Sequence, residues 1–209
     1  MNVFYKFLLK FTNLIYPRKI IGRENIPQGR GVFSCNHLSL IDAVYMLDVC
    51  SDNVTFLAKK EIFKKKIAKK LIASIVDTIP VDRENPDIKT VISALRVLKN
   101  DNKLVVFPEG TRNKTGTTVL QKIKGGTGLF AIKSKSPIIP VMIFKKARLF
   151  RKNYVIIGKP FYLDDYYDKN LSATDSEAID NIIMQKMIDE QNKLFDLIKS
   201  KKQKKKLNG

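Results

Sequence analysis

The 209-residue chain contains one imidazole, His37, five positions before the carboxylate of Asp42. Histidine is the side chain whose ordinary pKa lets it take and return a proton near neutral pH. A neighbouring carboxylate can orient the ring and stabilise its cation. On a continuous helix a spacing of five sets two residues about 140° apart, so they would not meet there. They meet if His37 lies in a loop just before a helix and Asp42 in its first turn. The flanking residues fit that arrangement. Gly31-Val32-Phe33-Ser34-Cys35 reads as a short buried strand, and Ser39 with Asp42 forms a Ser-x-x-acid capping pattern ahead of Ala43-Val44-Tyr45-Met46-Leu47. Two plainer readings stand beside this one: Asp42 only caps its helix, and His37 is a satisfied core or loop histidine. Cys35, two residues from His37, makes a Cys–His nucleophile conceivable, but a small buried residue ending a strand is the simpler reading.

Strands alternating with helical stretches must position this pair. Strand candidates are Ile20-Ile21-Gly22, the segment ending at Cys35, Val54–Ala58, Asp77–Val81, Lys103–Phe107, Pro137–Ile143 and Tyr154–Ile157. Between them, Asn85-Pro86-Asp87 offers an N-cap, a proline at the first helical position and an early acid, ahead of the apolar stripe Ile88, Val91, Ile92, Leu95 and Leu98. Gly125-Gly126-Thr127-Gly128 opens into a further helix. A long helix carrying Ile179, Ile183, Met187, Leu194 and Ile198 follows. This alternation predicts a single α/β domain with a largely parallel central sheet flanked by helices. An N-terminal amphipathic helix occupies 1–17, the domain 18–198, and a lysine-rich, disordered tail 199–209.

Composition narrows the partners. An apolar fraction of 44% and a charged fraction of 28% suit a globular protein. With 39 Lys+Arg against 20 Asp+Glu, the net charge of +19 favours nucleic acid, anionic lipid or phosphorylated substrates. Two cysteines fit a reducing compartment, and no Cys or His pair has metal-ligand spacing, so no metal is expected. No run is long enough to span a bilayer. Two segments are nonetheless amphipathic. Asn2, Lys6, Lys10 and Asn13 mark a narrow polar stripe on an apolar helix closed by Pro17, suited either to packing on its own domain or to lying in a lipid interface. From Lys59 to Val76, Ile62, Phe63, Ile67, Leu71, Ile72 and Ile75 alternate with Lys59, Lys60, Lys64, Lys65, Lys66, Lys69 and Lys70, opposed only by Glu61. That cationic face predicts an anionic membrane surface as partner.

Four blocks could carry chemistry: Asn36-His37 with Asp42, Val81-Asp82-Arg83, Phe107-Pro108-Glu109-Gly110-Thr111-Arg112, and Ile138-Ile139-Pro140-Val141. They supply a base with its orienting acid, two arginines suited to bidentate phosphate recognition, and a hydroxyl beside a glycine turn. In order and spacing they resemble the glycerolipid acyltransferases, most of all the bacterial 1-acyl-sn-glycerol-3-phosphate acyltransferases, over about residues 20–143.

The resemblance implies that His37 deprotonates the free hydroxyl of a lysophosphatidic acid acceptor as it attacks an acyl thioester, with Asp42 holding the ring. It implies that Arg83, Glu109, Gly110, Thr111 and Arg112 bind the acceptor, the arginines on its phosphate and Glu109 ordering an arginine or the acceptor hydroxyls. Pro140 would shape the site. An oxyanion stabiliser is required, for which Lys124 and the backbone near Gly125 are candidates. The donor would be acyl-CoA or acyl carrier protein, with no further cofactor. Lys64, Lys65, Lys66, Lys69 and Lys70 would meet the cytoplasmic face of the cell membrane. Where related proteins are more apolar, this chain has those lysines. Two rivals remain: the same chemistry on another lysolipid, and a basic non-enzymatic module for membrane or nucleic acid. The second leaves the His–Asp pair and the ordered blocks without a role.

Overall fold

The computed structural model describes residues 3–51, 53–61, 77–82, 87–115, 119–123 and 126–207. After helix α1 (Val3–Ile15) come β1 (Arg18–Ile21), β2 (Gly31–Cys35), α2 (Ile41–Cys50), β3 (Val54–Lys59) and β4 (Asp77–Val81). Then follow α3 (Ile88–Lys99), β5 (Lys103–Val106), α4 (Thr127–Ser134), β6 (Ile138–Ile143), β7 (Asn153–Ile157) and α5 (Ala173–Leu207). The seven strands form one sheet in the order β1-β7-β6-β2-β5-β3-β4. Every pairing is parallel except β6 with β7. The domain is therefore α/β with a largely parallel sheet, as the alternation predicts.

Strands buried on both faces need apolar residues at successive positions. β2 and β6 are buried throughout. Their side chains divide by the two-residue period of a strand. Val32, Leu104, Val106, Ile138, Met142 and Ile156 join a core with α3, α4 and α5 through Leu98, Phe130, Ile183 and Met187. Phe33, Cys35, Val105, Ile139, Val141, Ile143 and Val155 face α2 through Tyr45, Met46 and Val49, with Leu9 of α1 packed against them. Gly128 sits where a Cβ would lie 2.2 Å from Ile179 Cγ2, so only glycine allows α4 this close to α5.

Two local expectations are corrected. The cap of α3 is Asp87, whose carboxylate accepts the Thr90 N–H at 2.7 Å, and not Asn85. Asp ranks with Asn as an N-cap, and the helix starts after it. The lysine-rich tail, expected to be disordered from 199, continues α5 to Leu207. Lysine is a good helix former, no Gly or Pro interrupts before Gly209, and cations near a helix C-terminus oppose the macrodipole. Lys201 also lies 5.5 Å from the Tyr154 ring.

Candidate active site

His37 lies in the loop between β2 and α2, at the sheet edge where β2 ends. Asp42 is the second residue of α2 and is fully buried. The imidazole Nδ1 is 3.0 Å from Asp42 Oδ2. That geometry places the proton on Nδ1 as the donor to the carboxylate, which leaves Nε2 with a free lone pair. Asp42 also accepts the backbone N–H groups of Leu38 (2.5 Å) and Ser39 (2.6 Å) on Oδ2, and the Ser39 hydroxyl on Oδ1 at 2.9 Å. One carboxylate thus orients the ring and holds the turn leading into α2, while the N-cap residue itself is Leu40, with no side-chain bond. The reciprocal half of a capping box is absent, because the Ser39 hydroxyl donates to Asp42. The ring itself stacks on Phe107 at 4.1 Å between centroids, tilted 20°.

The Phe107–Arg112 block reaches this loop through its backbone. A turn at Phe107-Pro108-Glu109-Gly110 is closed by the Gly110 N–H on the Phe107 carbonyl at 3.0 Å, with Gly110 at φ 70°, a conformation glycine adopts at little cost. The turn aims Glu109 inward. Its Oε1 accepts the His37 N–H at 2.8 Å and its Oε2 accepts the Gln121 N–H at 3.1 Å. Burial pushes the Glu109 carboxyl above its ordinary range, against the lowering effect of those two bonds. Glu109 therefore holds the backbone of the base, a contact the sequence did not suggest. Four residues on, the Asn113 N–H donates to the His37 carbonyl at 2.7 Å. His37 is held at both backbone atoms by one short segment.

Thr111 and Arg112 stand between those two anchors, both exposed, and Arg112 has no ion-pair partner among the described residues. Arg112 is one residue from the Asn113–His37 backbone bond, as is the exposed Lys114 on the other side. Asn36 fastens the other side: its amide donates to the Ile143 carbonyl at 3.1 Å and accepts the Ile143 N–H at 2.7 Å. A cavity of about 390 Å³ opens under Phe107, Pro108 and Gly110, walled by Leu57, Val91 and Phe130. Phe107 is shared between this apolar cavity and the imidazole.

Other candidates fall elsewhere. Pro140 is buried in β6 on the α5 face, against Gly158 and Glu190, and is not brought to His37. Cys35 is fully buried, and desolvation, followed by the Asp42 and Glu109 charges, pushes its thiol well up, which excludes a thiolate nucleophile. Arg83, Lys124, Gly125, Lys64, Lys65, Lys66, Lys69 and Lys70 lie outside the described residues. Among the described residues no group of three His, Cys, Asp or Glu could hold a metal. Sequence reasoning missed the roles of Asn36, Phe107, Asn113 and Gln121. Only the adjacency of Asn36 to His37 and of Asn113 to Arg112 hinted at them.

Residues 17–144 match the family model described as Acyltransferase. The chain belongs to the acyltransferase family. A 1-acyl-sn-glycerol-3-phosphate acyltransferase of Bacillus subtilis is 28% identical over 193 residues, covering 86% of this acyltransferase and 90% of the relative. A protein of the same description from Cocos nucifera is 33% identical over 129 residues, 59% of this chain and 40% of the longer plant protein. Among solved structures, the 1-acyl-sn-glycerophosphate acyltransferase of Thermotoga maritima superposes with a TM-score of 0.62 at 23% identity, over 88% of this chain and 81% of that one. That likeness is one of fold. The matched segment of the acyltransferase contains His37, Asp42, Glu109 and Arg112.

Proposed function

We propose that this acyltransferase moves a fatty acyl group from a thioester, acyl-CoA or acyl carrier protein, to the free sn-2 hydroxyl of 1-acyl-glycerol-3-phosphate, giving phosphatidic acid. The observation that carries the reading is the His37–Asp42 pair, in a loop whose backbone is bonded to the segment that carries Arg112. Nε2 of His37 takes the hydroxyl proton as the acceptor oxygen attacks the thioester carbon, and Asp42 stabilises the imidazolium that forms. The tetrahedral intermediate then collapses, the C–S bond breaks, and the thiolate leaves with the proton returned from His37. No acyl-enzyme forms. Arg112 pairs with the acceptor phosphate, and the cavity beside Phe107 receives an apolar chain.

The substrates reside in lipid, so the reading includes work at an anionic membrane surface on the cytoplasmic side. Phe7, Phe11 and Leu14 stand outward on α1 at helical spacing, 50–70% exposed. No helix among the described residues is long and apolar enough to cross a bilayer. A purified-protein assay crossing acyl-CoA and acyl carrier protein with phosphorylated and dephosphorylated lysolipids tests the chemistry. Turnover that demands the phosphate supports it; equal use of both acceptors overturns the acceptor assignment.

A further inference from the structure

The connection between β6 and β7, residues 144–152, takes no part in the chemistry above. At its tip, Arg148-Leu149-Phe150-Arg151 form a turn closed by the Arg151 N–H on the Arg148 carbonyl at 3.2 Å. Leu149 is 56% exposed and Phe150 72% exposed. Phe150 adopts φ 54°, the left-handed region where a bulky residue is disfavoured and Gly or Asn is usual. Both its backbone and its solvent exposure thus run against a phenylalanine here, the kind of outlier that points to function. The flanks carry Lys145, Lys146, Arg148, Arg151 and Lys152, and no acidic residue occurs between Glu109 and Asp164.

The tip is fixed in relation to α1. The Phe150 N–H donates to the Ile15 carbonyl at 2.7 Å and the Asn153 N–H to the Pro17 carbonyl at 2.8 Å. The Asn153 amide closes the neck on the Lys145 carbonyl at 2.6 Å. Ile15 directly follows Leu14, the last residue of the exposed α1 stripe. β6 runs parallel to β2, so the connection leaves the same sheet edge as His37.

We infer that Leu149 and Phe150 insert into an anionic bilayer as a second membrane contact beside α1, with Lys146, Arg148, Arg151 and Lys152 against lipid phosphates. The inference rests on the reading of the enzyme as working at a membrane and adds a separate element to it. Apolar residues ringed by cations match the interface of an anionic bilayer. A bilayer also needs no complementary pocket for a protruding tip. A second copy of this chain, at +19, would be repelled.

The chain has no tryptophan, so Phe150→Trp and Phe11→Trp each create a single reporter. With vesicles of equal parts phosphatidylglycerol and phosphatidylcholine, both should shift to the blue and be quenched by lipid brominated in its chains, and added salt should reverse the Phe150→Trp shift. A shift at position 11 alone overturns the inference and leaves the membrane reading standing; a shift at neither overturns both. A response of Phe150→Trp to acyl carrier protein but not to vesicles overturns it in favour of a protein partner. Phe150→Gly removes the ring and eases the backbone, so it should gain thermal stability while losing several-fold in vesicle affinity, with turnover of a dissolved short-chain acceptor unchanged. Unchanged vesicle affinity overturns the inference.

Discussion

The Asp42 oxygen that lies 3.0 Å from His37 Nδ1 also receives the backbone N–H groups of Leu38 and Ser39. The loop that presents the imidazole is therefore shaped by the same atom that orients the ring. His37→Ala should lower kcat by roughly 10²–10⁴, the usual contribution of a positioned base, in a protein that remains folded. Asp42→Asn should lose both turnover and about 1–2 kcal/mol of stability. A loss of stability alone, with kcat intact, would leave Asp42 as a support of the turn before α2 only.

Arg112 and Lys114 are the exposed cations on either side of Asn113, whose N–H bonds the His37 carbonyl, and of the two only Arg112 offers a planar fork for a phosphate. Arg112→Ala should lower kcat/KM for a phosphorylated acceptor by about 2 kcal/mol or more, roughly thirtyfold, as expected when one partner of a covered charge pair is removed. A dephosphorylated analogue should lose far less. Equal losses on both acceptors would show that Arg112 supports the fold.

Burial raises the Glu109 carboxyl above its unfolded value. The folded chain then binds this proton more tightly than the unfolded one. Its contribution to stability is fully present below about pH 4.3, the ordinary glutamate value, and is lost as pH rises through the raised one. Urea midpoints of the wild type and Glu109→Gln, compared from pH 4 to 7 as assay conditions, should converge or cross as the pH rises. A difference constant with pH would contradict the assignment.

Cys35 should resist alkylation in the folded protein, because its thiol is buried and pushed well up. Cys35→Ala should turn over within a few-fold of wild type, and mass spectrometry during turnover should find no acylated cysteine. An acyl adduct on Cys35 would replace the direct-transfer mechanism.

What was readable in the chain was what short-range rules encode. The loop-then-helix placement of His37 and Asp42 follows from a strand, a Ser-x-x-acid pattern and the angle between positions on a helix. Two-sided burial of β6 follows from its unbroken apolar run, and that of β2 from a run interrupted only by the small Ser34. The hold of Glu109 on the loop of the base was not legible in the sequence. Among the described residues its partners are the backbone donors of His37 and Gln121, and a contact across 72 positions leaves no local trace. The reversal of β7 against β6 was likewise invisible, since pairing direction depends on which strands meet and not on what either contains. The last turns of α5 were misjudged by treating lysine as a mark of disorder when its helix propensity is high.

The bonds from Glu109 and Asn113 grip the peptides on either side of the His37 Cα, and Arg112 is covalently one step from the second grip. Under the proposed function, proton acceptor and anion receptor would share one short lever. Loosening either grip displaces both groups at once, so substitutions at Glu109 or Asn113 will not sort into those that raise KM and those that lower kcat. The same lever would then set the span between the hydroxyl to be deprotonated and the phosphate to be held. An acceptor whose free hydroxyl sits on the neighbouring carbon, the 2-acyl isomer, would reach one group only by leaving the other, and regiochemistry becomes a matter of length.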